Sequence, residues 1–231
     1  MNEMTTKPLL KITDLSIAFR DRKLIQHLNL TVQPGEFLAI IGENGVGKTT
    51  LIRTVTGQRK PEGGTIQFDV PAKKMRFGYV PQFRNISEEY PLSMRDFVEL
   101  NLLHLRPWLT KKEHQRVTNV LTEVGIENID NTSMGQASGG EKQKAYLAQA
   151  IVNEPRLLIL DESTASLDVE AKNELMGLVK KLNQQDGLTV LFITHDLPLA
   201  KKYADQFLLI RRNGQYEEKP IDQLDTTQDI Q

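Results

Sequence analysis

The stretch Gly42-Glu43-Asn44-Gly45-Val46-Gly47-Lys48-Thr49 satisfies the pattern G-x-x-x-x-G-K-[ST], and its flanks supply the setting that pattern needs. The apolar run Leu38-Ala39-Ile40-Ile41 before it reads as the end of a buried strand, and Thr50 to Thr56 after it reads as a helix stopped by Gly57. Glycines at 42, 45 and 47 let the loop wrap a phosphate with backbone N–H groups, where a Cβ would obstruct. The helix N-terminus favours the same anion, the Lys48 ammonium can reach its terminal oxygens, and the Thr49 hydroxyl suits Mg²⁺. Asn44 and Thr50 complete the candidate loop contacts. The expected ligand is a nucleoside triphosphate with Mg²⁺.

At 231 residues the chain fits one α/β domain with a sizeable core. Lysine and arginine number 29 against 30 acids, so no global basic field points to nucleic acid, and none is expected as a partner. Cysteine is absent, which removes disulfides, thiolate metal sites and cysteine nucleophiles. The first eight residues lack the apolar core of a signal peptide, and no uncharged apolar run reaches the roughly 18 residues of a membrane helix. Service to a membrane would need another chain to span it.

Two strand-like runs, 9–19 and 24–32, flank a charged turn at Arg20-Asp21-Arg22-Lys23 and read as an antiparallel hairpin. A turn at Gly63-Gly64 precedes a further strand at 65–68, and 76–80 forms another that ends in Pro81-Gln82. Helical periodicity takes over from about 93 to 153, with Val98, Leu102 and Leu105 on one face, then Val117, Val120, Leu121 and Val124 on another. Leu157 to Leu160 is a central strand, followed by a helix near Asp168, a strand at 188–194 running into His195, a helix at 197–204 and a strand at 206–210. A turn at Asn213-Gly214 leads to a polar tail, and residues 1–8 and 217–231 are expected to be flexible. The whole is expected to be a single domain over 1–231, with the helical insertion as a subdomain.

The strand at 157–160 ends in Asp161-Glu162, two adjacent acids with separable roles. Asp161 can hold the metal's hydration shell, and Glu162 can accept a proton from an attacking water.

With these residues in place, the chain resembles the ATP-binding subunits of ABC transporters over about residues 9–214. The resemblance implies an α/β fold: a P-loop NTPase core with a mainly parallel sheet, an N-terminal antiparallel β subdomain and an inserted helical subdomain. It places Phe19 at the aromatic position that stacks on adenine, and Gln82 at the glutamine that touches Mg²⁺ and the attacking water. Ala137-Ser138-Gly139-Gly140-Glu141 matches the signature loop, Asp168 lies in the D-loop, and His195 matches the switch histidine on the γ-phosphate. The signature departs from its commonest form at Ala137 and Glu141, which puts the strength of ATP-driven closure in question. A signature loop cannot serve the P-loop of its own chain, so the resemblance implies a head-to-tail homodimer around two ATP.

It further implies a separate permease, a peripheral place on the cytoplasmic face of the membrane and, for an importer, an extracellular solute-binding protein. The segment after Gln82, including Arg84, Tyr90 and Phe97, is expected to dock the permease. Pro91-Leu92-Ser93-Met94-Arg95-Asp96-Phe97-Val98 is similar to the segment found in manganese and zinc importers, so uptake of a divalent transition metal is expected. An exporter subunit, an importer of another solute and a non-transport P-loop kinase stand as alternatives.

Overall fold

The computed structural model describes residues 7–19, 22–82, 87–103 and 108–226. Arg20, Asp21, Arg84, His104, Leu105, Pro107 and the two ends of the chain, on which some of the expectations fall, lie outside the described residues. Two compact units form: one takes the chain through Met75 and again from Asn183, the other is Arg76–Leu182.

In the first unit, β1 (Leu10–Phe19) and β2 (Arg22–Val32) form the antiparallel hairpin, and β4 (Gly63–Phe68) pairs with the far side of β1 in the order β2-β1-β4. Arg22 and Lys23, expected in the turn, belong to β2, where they pair with Phe19 and Ala18. Gly63 and Gly64 likewise open β4, pairing Gly63 with Ser16 where β1 bulges, and do not turn ahead of it. The second sheet of this unit is built on β3 (Phe37–Ile41), buried along its whole length and flanked in parallel by β7 (Thr189–Thr194) and β8 (Gln206–Ile210). Continuous burial explains why β3 and the middle of β7 read as unbroken apolar runs and not as alternating ones. Helix α1 (Lys48–Val55) follows the glycine-rich loop, and α6 (Leu197–Tyr203) follows β7.

The polar tail begins with a strand. β9 (Tyr216–Pro220) pairs antiparallel with β8, Ile210 opposite Tyr216 and Leu208 opposite Glu218, and a 3₁₀ turn, Ile221–Gln223, follows. Flexibility expected from composition at 217–223 is therefore corrected. The Asn213-Gly214 turn closes a hairpin, with Arg211 N–H donating to Gln215 O at 2.9 Å. Tyr216 secures it by donating its hydroxyl to His27 O on β2 at 3.1 Å.

Burial of carboxylates beside this hairpin has a pH signature. Glu36 is pushed above the ordinary carboxylate range by burial, partly offset by the Gln33 N–H that it accepts, with Glu218 and Asp205 adding negative charge; burial raises Glu218 as well. A raised carboxyl pKa favours the folded state while protonated and takes that contribution away as pH rises through the folded value. Glu36→Gln keeps an acceptor for Gln33 N–H and removes the charge. Its thermal midpoint is expected to exceed that of the parent chain at pH 7, with the gap closing below about pH 4, as scanning calorimetry would show.

In the second unit, β5 (Phe77–Val80) and β6 (Leu157–Asp161) pair in parallel, and α2 (Met94–Glu99), α3 (Lys111–Glu123) and α4 (Gly139–Ile151) pack around them. Val117, Val120, Leu121 and Val124 are buried as their spacing requires, and Thr110 and Glu113 form a capping box on α3. Arg95 bonds to Asp130 at 2.8 Å and to Thr118 at 3.2 Å, tying α2 to its neighbours. Phe97 is buried and meets Tyr146 edge to face at 5.0 Å, so it packs the interior and presents no docking surface, contrary to the expectation for that position. Helix α5 (Val169–Asp186) completes the chain order. Among the described residues no helix is long and apolar enough to cross a membrane.

Candidate functional site

In the first unit the phosphate loop springs from β3 at Ile41, whose parallel partner on β7 is Thr194. Gly42 and His195 thus leave adjacent strands at the same end of the sheet. Gly42 is fixed as glycine by crowding: a Cβ there would lie 2.5 Å from Ile210 O on β8. Gly47 has φ +114°, where a side chain is strained, and it starts α1.

The helices α2, α3, α4 and α6 begin on a side-chain cap from Ser93, Thr110, Ser138 and Asp196, respectively. α1 has no side-chain cap and no acid in its first turn. A helix start of this kind is one that can take an external anion, as expected of it from the sequence. Lys48 is 5% exposed, and its Nζ donates to Gly42 O at 2.7 Å and Glu43 O at 3.0 Å, which ties the ammonium across the loop. Thr49 and Asn44 are exposed, and Thr50 half-buried. Gly45 has open space around the position of a Cβ.

His195 is exposed at the end of β7, held between two local bonds: Thr194 Oγ1 accepts from Asp196 N–H at 2.9 Å, and Asp196 Oδ1 accepts from Leu199 N–H at 3.0 Å. Phe19 is half-exposed at the tip of the hairpin, with the Arg59 guanidinium 5.6 Å from its ring centroid.

In the second unit, Val80 pairs with Leu160, so Gln82 and the acids Asp161 and Glu162 leave the same end of the β5–β6 pair. Asp161 is buried and accepts the Tyr79 hydroxyl at 2.8 Å. Gln82 Nε2 donates to Glu162 Oε2 at 3.3 Å. Glu162 itself sits at φ +47°, a left-handed conformation costing a non-glycine residue about 1–2 kcal/mol. Asp14, His27 and Glu154 share this positive φ, so the conformation alone assigns Glu162 no role. The sequence assigns Tyr79 no role and carries no signal for one, because its bond to Asp161 depends on the β5–β6 register.

The signature loop is an N-cap. Ser138 Oγ accepts from Glu141 N–H at 3.3 Å and Glu141 Oε2 accepts from Ser138 N–H at 2.8 Å, a reciprocal box that opens α4. Cβ atoms placed on Gly139 and Gly140 would touch Leu167 at 3.6 Å and Ala171 at 3.5 Å, so the two glycines bring the signature against the D-loop. Asp168 caps the start of α5, accepting from Ala171 N–H at 2.8 Å. Glutamine would close the same box without a charge where a phosphate is expected. Glu141→Gln is therefore expected to strengthen ATP-dependent self-association a few-fold, measurable by sedimentation against ATP concentration, with thermal stability unchanged.

Thr49 in the first unit offers an exposed hydroxyl, and Asp161 in the second a buried carboxylate that accepts the Tyr79 hydroxyl; each is a hard oxygen donor of the kind Mg²⁺ takes.

The family described as "ABC transporter" matches residues 25–165. Over 205 residues the chain is 35% identical to the zinc import ATP-binding protein ZnuC of Pseudomonas fluorescens (strain Pf0-1), a match that covers 89% of this chain and 74% of that protein. ZnuC of Haemophilus influenzae is 30% identical over 214 residues, covering 92% of this chain and 75% of that one. Among solved structures, cbiO1 from Clostridium perfringens, part of the ABC transporter complex cbiONQ, aligns with TM-score 0.81 at 28% identity, covering 93% of this chain and 89% of that one. Dimeric MJ0796, a bacterial ABC transporter cassette, aligns with TM-score 0.76 at 25% identity, covering 92% and 98%. A phosphate loop in its strand–helix setting, the paired acids and this similarity along the chain lead to one conclusion: the chain belongs to the ABC transporter family, as one of its ATP-binding, ATP-hydrolysing subunits.

Proposed function

We propose that this subunit powers uptake of a divalent transition metal, zinc or manganese, as a head-to-tail pair of copies on a separate permease. The pair would sit at the cytoplasmic face of the membrane, with a solute-binding protein delivering the cargo outside. The observation that carries the metal reading is the 35% identity to a zinc import ATP-binding protein across 89% of the chain. Among the described residues no group of three or more His, Asp or Glu could hold a metal ion, so selectivity falls to the partners.

Each residue then has a task toward ATP. The loop amides of 42–49 and the α1 N-terminus take the phosphates, Lys48 sets its charge against the terminal ones, and Phe19 offers a face to the base. Thr49, Asp161 and Gln82 would hold Mg²⁺, which would supply positive charge against the phosphates. Glu162 orients the attacking water and accepts its proton while Gln82 steadies the carboxylate. His195 donates to the γ-phosphate. Ser138, Gly139 and Gly140 of a second copy close on the same phosphate, with Asp168 beside them.

Permease docking rests on what remains accessible after Gln82: Glu88 and Glu89 are exposed and Tyr90 half-buried. Deleting the gene in metal-poor medium and measuring cellular zinc, manganese and iron tests the cargo. A fall of several-fold in zinc or manganese, restored by the intact gene and not by its Lys48→Ala form, is expected. Unchanged contents of all three overturn the metal reading and leave the ATPase standing.

A further inference from the structure

The three-stranded sheet of the first unit ends in β4, which among the described residues pairs with β1 on one side only. Across β4 and the start of β1 lies a groove of about 470 Å³, lined by Lys7, Pro8, Lys11, Ile66, Phe68 and Ala72. Ile66, Phe68 and Pro8 are half-buried and give it apolar surface, while Lys11 and its register partner Gln67 are exposed. Lys7 Nζ is tethered to Asp69 O at 3.0 Å. The 3₁₀ turn Ala72–Lys74 continues from the groove into exposed Lys73 and Lys74. Segments 7–12 and 66–75 thus carry four lysines and a single acid, Asp69, in a chain otherwise close to neutral, with 29 basic and 30 acidic residues.

We propose that this edge docks an acidic, extended segment of a partner protein, taken up as an added strand along β4. Strand addition supplies main-chain hydrogen bonds, the apolar surface receives alternate side chains, and the lysines meet carboxylates on the others. A small inorganic anion would need donors converging on one point, whereas these cations are spread over the start of β1 and the 3₁₀ turn that follows β4. A second copy is disfavoured because it would bring the same lysines against this rim, the device by which lysine keeps sheet edges from pairing with themselves. None of these residues belongs to the phosphate loop or to the acids that act on ATP, so docking and hydrolysis are separable.

The test uses the full chain and a labelled peptide of alternating glutamate and valine, read by fluorescence anisotropy. Saturable binding is expected that weakens with salt, because exposed charges are screened beyond about 8 Å at physiological ionic strength. A lysine–valine peptide of equal length should not bind. Charge reversal in a Lys11→Glu/Lys73→Glu double variant should weaken binding at least about tenfold with ATPase activity and circular dichroism unchanged, and a peptide with proline at alternate positions should bind as poorly. Absence of saturable binding, or binding indifferent to both the charge reversal and the proline peptide, overturns the proposal. Anionic lipid vesicles that bind with the same lysine dependence while the peptide does not would assign the patch to a membrane surface and overturn it equally.

Discussion

Lys48→Ala is expected to lower ATP affinity by at least about a hundredfold and to bring hydrolysis to background. The ammonium is the charged donor of the loop, and a hydrogen bond to an ionised partner contributes up to about 3 kcal/mol, which is a factor of about a hundred. Two things are lost together. The charge against the terminal phosphates goes, and so do the bonds from Nζ to Gly42 O and Glu43 O that tie the loop across itself. Lys48→Arg separates them: it keeps the charge, but its wider fork does not fit a nest that leaves Lys48 5% exposed. Calorimetric titration with ATP and phosphate-release assays on both variants give the result, and undiminished hydrolysis in Lys48→Ala would remove the loop from the mechanism.

Glu162→Gln is expected to reduce turnover by about 10²–10⁴ while leaving ATP binding intact. Glutamine preserves an oxygen for the Gln82 amide, which bonds the carboxylate at 3.3 Å, and it leaves the backbone at φ +47° unchanged. The variant therefore removes the proton acceptor and little else. With hydrolysis blocked, ATP-bound pairs should accumulate, visible by sedimentation as a shift from monomer to dimer on adding Mg-ATP. Hydrolysis at the parental rate would assign the proton acceptor elsewhere.

The strand–loop–helix around 42–49 was legible because it depends on local chemistry: an apolar run, glycines, a lysine and a helix start. The core strands were legible for a related reason, since burial on both faces leaves a continuous apolar signature at 37–41, 157–160 and 189–194. What the sequence concealed was tertiary. Nothing near Tyr79 says that its hydroxyl will hold Asp161, because the two are brought together only by the β5–β6 register. The left-handed backbone of Glu162 is equally silent, as glutamate is not a residue that announces positive φ.

β9 was hidden by its composition. An edge strand of alternating Tyr216, Glu218 and Pro220 reads as polar tail until β8 supplies the partner, although the Asn-Gly turn before it was the available clue. Phe97 misled in the opposite direction. An aromatic in a segment thought to face a partner proved to be a core residue against Tyr146, and Arg95 beside it serves an internal ion pair with Asp130. Similarity to metal importers at 91–98 therefore records how this subunit packs, and the cargo assignment rests on the similarity of the whole chain.

Two copies are proposed to complete each other's nucleotide site, and mixing two inactive forms tests this most directly. Lys48→Ala disables the loop, and Ser138→Arg places a bulky cation in the signature, so each pure variant should be inactive. In a head-to-tail pair, a mixed dimer contains one site built from an intact loop and an intact signature. Random mixing should then restore ATPase activity to about a quarter of the parental value, half the dimers being mixed and each carrying one of two sites. Activity that never exceeds the sum of the two pure variants at any mixing ratio would contradict the shared site.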